Sequence, residues 1–91
     1  MKQVFVLDEK DVQLANRLKE KLLASPKDSG ILFVGVRAIP ASLLSPLPVF
    51  EIAIGCSKYP HALIDYAKYI LKEDVEKEEQ LHVVAFEGSL K

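Results

Sequence analysis

The stretch Arg37–Pro48, RAIPASLLSPLP, separates the apolar runs Ile31–Val36 (ILFVGV) and Val49–Ile54 (VFEIAI) and holds three of the chain's five prolines. Both flanks are rich in β-branched and aromatic residues and read as strands. A helix cannot run through three prolines, because each removes an N–H donor and crowds the preceding turn. Parallel pairing of the two strands needs a crossover of a dozen or more residues, usually helical. That route is closed, so the sequence predicts an antiparallel hairpin with a long loop.

The remaining elements are fitted around this hairpin. Val4–Leu7 (VFVL) is a short strand pattern that stops at Asp8-Glu9-Lys10-Asp11, an acidic cluster suited to a helix N-terminus. From Val12 to Leu23 the apolar positions Val12, Ala15, Leu18 and Leu22, with Leu14 and Leu23 beside them, recur at three and four. This predicts an amphipathic helix, ended by Pro26 and the turn residues through Gly30. A second helix begins between Lys58 and Pro60 and carries Leu63, Tyr66, Ala67, Ile70 and Leu71. Residues 72–79 fit either its continuation or an acidic loop. Leu81–Phe86 (LHVVAF) is the last strand, closed by Glu87-Gly88-Ser89.

The order strand, helix, strand, strand, helix, strand is that of ferredoxin-like domains. The expected fold is therefore α+β, a single domain over residues 1–91, with a four-stranded antiparallel sheet and two helices on one face. A three-layer parallel α/β domain is disfavoured by the missing central helix. At 91 residues the chain forms one core at most.

The strands hardly alternate. One face carries Val4, Val6, Leu32, Val34, Val36, Phe50, Ile52, Ile54, Val83 and Ala85. The other carries Phe5, Leu7, Ile31, Phe33, Gly35, Ala53, Val84 and Phe86, interrupted only by Glu51 and His82. An antiparallel sheet wet on one side normally alternates apolar with polar residues. Two helices cover only one face, so the second face predicts a homodimer, or an oligomer built from it, through Phe5, Phe33, Val84 and Phe86.

Composition narrows the function classes. With 12 Lys+Arg against 13 Asp+Glu, the chain has no electrostatic footprint for nucleic acid. No secretory leader and no membrane-length apolar run is visible, and a lone cysteine fits a reducing compartment, so the expected location is cytoplasmic and no membrane partner is expected. Few Asn and Gln beside many Lys and Glu is a mild bias of heat-adapted proteins. Families with the same element order leave no mark. The RNA-recognition module needs basic and aromatic residues in its third strand, where this chain has VFEIAIGC. The Gly-rich loop with an arginine of acylphosphatases is replaced by Asp8-Glu9-Lys10-Asp11, and the paired cysteines of heavy-metal carriers are missing.

One corner could carry chemistry. In IGCSKYPH, Ile54–His61, a strand gives way to a helix N-terminus that favours anions and lowers a thiol pKa. Cys56, Ser57, Lys58 and His61 are the candidate anion or ligand site, with Ser57 expected to cap the helix. A thiol nucleophile needs His61 within hydrogen-bond reach and a third group to orient it, and no third group is evident. Cysteine at a strand end is more often a small buried hydrophobe, and Cys56 is assigned that role. Two separate histidines, His61 and His82, with one cysteine make no zinc pattern, so neither metal nor cofactor is expected. The loop Ile39–Pro48 presents Leu43, Leu44 and Leu47, either folded back over the core or available to a protein partner. The function predicted is a small, non-catalytic oligomeric binding or assembly module. A small thiol enzyme using Cys56 and His61 is the alternative, and nucleic-acid binding the third choice.

Overall fold

The computed structural model describes residues 8–88. Its elements are helix α1 (Glu9–Leu23), strands β1 (Ile31–Ile39) and β2 (Val49–Cys56), helix α2 (Pro60–Leu71) and strand β3 (Leu81–Glu87). Asp8 caps α1 by accepting a hydrogen bond from the Lys10 amide at 3.1 Å, and Glu9 and Asp11 complement the positive helix end. Pro60 opens α2 in the first turn, where its missing N–H costs nothing. The predicted strand Val4–Leu7, and with it Phe5, lies outside the described residues.

Within 8–88 the fold is α+β, with two helices and a three-stranded mixed sheet of order β1-β2-β3. The hairpin is as expected: β1 and β2 are antiparallel, from Ile39 opposite Val49 to Ile31 opposite Cys56. Among the described residues the expected all-antiparallel pairing is not what forms. β3 pairs directly and in parallel with β2, Phe50 opposite Leu81 through Cys56 opposite Glu87. A ferredoxin-like order would place the first strand between these two and make all neighbours antiparallel. Here α2 is a crossover between adjacent strands, and such a connection returns the chain in the same direction.

Ala15, Leu18 and Leu22 of α1 and Leu63, Ala67 and Leu71 of α2 share one core with Val34, Phe50, Ile52, Ile54, Cys56, Leu81 and Val83. Both helices thus cover the same sheet face, α1 over β1 and α2 chiefly over β3. Val12 and Leu23 fall off the α1 stripe and are exposed. At the start of β1 the register shifts between Ile31 and Phe33. This bulge turns Leu32 outward, leaving it 54% exposed, and directs Ile31 to the core, the reverse of strict alternation. Beyond α2 the chain forms neither a longer helix nor an irregular loop but two 3-10 turns, Lys72–Asp74 and Glu78–Gln80, separated by extended Val75. The Asp74 side chain, only 8% exposed, receives Lys21 Nζ at 2.8 Å and Arg17 Nε at 3.4 Å there, tying the turn to α1.

Candidate functional site: the uncovered sheet face

The side of the sheet turned away from the helices is built of three cross-strand rows. Phe33, Gly55 and Phe86 form the first, Gly35, Ala53 and Val84 the second, and Arg37, Glu51 and His82 the third, each set by the pairing of β1 with β2 and β2 with β3. In the first row the Phe33 ring lies over Gly55, and its centroid is 5.4 Å from that of Phe86 with the planes tilted by 58°. Tilted pairs at this distance are favourable. The result is an aromatic ridge across the sheet. The second row has small side chains on two strands, and a β-carbon added at Gly35 would meet nothing within 4 Å. Over the second and third rows lies a depression of about 460 Å³, lined by Gly35, Ala53 and Val84 and bounded by Arg37, Glu51 and His82.

The third row is polar and internally paired. Arg37 Nε donates to Glu51 Oε1, and His82 Nδ1 is 3.6 Å from Glu51 Oε2. The hydrogen bond from Arg37 holds the Glu51 carboxyl below the usual carboxylate range. Desolvation opposes this, while the Arg37 charge and His82 reinforce it. The sequence pattern marks Glu51 and His82 as interruptions of an apolar face but misses their pairing with Arg37. The parity that puts Phe33 and Gly35 on this face also puts Arg37 there, and that signal was available.

The corner at Cys56 is differently arranged. Cys56 is fully buried, and its thiol lies 3.3 Å from the Phe86 carbonyl oxygen, to which it donates. Ser57 is turned to the opposite strand entry, its amide 2.9 Å and its hydroxyl 3.4 Å from the Gly30 carbonyl. The N-cap of α2 is instead Tyr59, in the left-handed region at φ 58°, with no side-chain cap. Lys58 and His61 are exposed. Among the described residues no hydrogen bond joins any two of Cys56, Ser57, Lys58 and His61. In the β1–β2 connection, Leu43 and Leu44 do not fold back. They stand at a tight tip closed by Ser42 and Ser45, whose amides and carbonyls bond reciprocally at 2.7 and 3.2 Å, and both are fully exposed.

No protein-family model matches the chain, and no curated protein matches it. Among solved structures it is similar to the type III secretion system protein EscJ of enteropathogenic E. coli, with a TM-score of 0.64 and 14% sequence identity over 88% of this chain. The chain spans about half that protein, 49% of its length. At this identity the likeness is one of fold. Among the described residues no helix is long and apolar enough to cross a membrane.

Proposed function

We propose that the protein is a small assembly module that associates with itself through the uncovered sheet face. The observation that carries this reading is the aromatic ridge beside the apolar depression, with Val84 48% and Phe86 39% exposed next to Phe33. Contiguous apolar surface of this kind marks interaction sites on otherwise soluble domains. The exposed Leu43–Leu44 tip supplies a second contact, for a protein partner, at the far end of the hairpin. Sedimentation equilibrium of the full chain at tens of micromolar tests the proposal. A dimer, or a multiple of one, is expected, and a monomer refutes it. Phe33→Asp is expected to abolish association by placing an unpaired charge within the contact.

A further inference from the structure

We draw no further inference here: the strongest candidate, the apolar depression of the uncovered sheet face over Gly35, Ala53 and Val84, belongs to the site already described, and nothing among the described residues shows what covers it.

Discussion

The ring of Phe33 on β1 occupies the space that any side chain at position 55 of β2 would need, so a β-carbon there would overlap the ring edge. Gly55 is therefore required by its cross-strand neighbour. Gly55→Ala is expected to displace Phe33 and lower stability by about 1–3 kcal/mol, the usual range for overpacking. Phe33→Ala should recover most of that loss in the double variant, as measured by urea denaturation.

Cys56 has no exposed surface and donates to the Phe86 carbonyl. A thiol reagent reaches it only when β2 and β3 part or the domain unfolds. Labelling in native buffer should therefore be slow and accelerate sharply across the urea transition. Rapid labelling of the native protein would contradict this burial and restore Cys56 as a candidate nucleophile.

The apolar runs and the three prolines carried the hairpin, and the 3.6-residue periodicity carried both helices, because each is a local signal. The direction of β3 was not legible. A helix between two strands fits either a neighbouring parallel pair or a split pair with another strand between them, and the choice lies in long-range pairing. The row Arg37–Glu51–His82 was hidden for a related reason: it depends on register across three strands, and the apolar pattern marks Glu51 and His82 without showing that Arg37 aligns with them. At Leu32 a single bulged residue exchanged the two faces locally, which strict alternation cannot anticipate.

Glu51 should make stability sensitive to acid. Arg37 lowers its folded-state pKa, so the carboxylate contributes stability above its unfolded-state value, and that contribution is lost as pH falls through the folded-state value. The loss is expected below about pH 4, where free glutamate titrates. Arg37→Leu should move the Glu51 titration upward when followed by NMR and flatten the acid limb of the stability curve. An unchanged Glu51 titration in that variant would show that the pair does not persist in solution.

The Asp74 side chain is only 8% exposed, but its partners Arg17 and Lys21 keep side-chain exposures of 73% and 37%. Asp74→Ala leaves both cations able to return to water, so the expected cost is only about 1 kcal/mol rather than that of a stranded buried charge. Thermal unfolding of the variant measures it. A loss several times larger would mean that the turn Lys72–Asp74 depends on this clip to stay docked.

Gln80 is 6% exposed and joins two segments that would otherwise leave polar backbone atoms unpaired. Its side-chain amide donates to the Pro48 carbonyl at 2.9 Å, and its oxygen accepts from the Lys77 amide at 2.9 Å. Gln80→Leu keeps much of the volume but strips both atoms of their partners, with an expected cost of about 1–3 kcal/mol for each group left buried and unsatisfied. Gln80→Glu separates the two bonds. A glutamate oxygen can still accept from Lys77, but an ionised carboxylate has no proton to offer Pro48, and two oxygens then face each other. Protonation restores a donor, so burial and this repulsion should raise the pKa of Glu at position 80 in the folded state. A group whose pKa is raised on folding contributes most at low pH, so Gln80→Glu should be closest to the parent in mild acid and fall behind as pH rises toward neutrality. Urea midpoints of both proteins across this range check the sign. Parallel curves would show that the Pro48 carbonyl is hydrated and that the loop does not depend on Gln80.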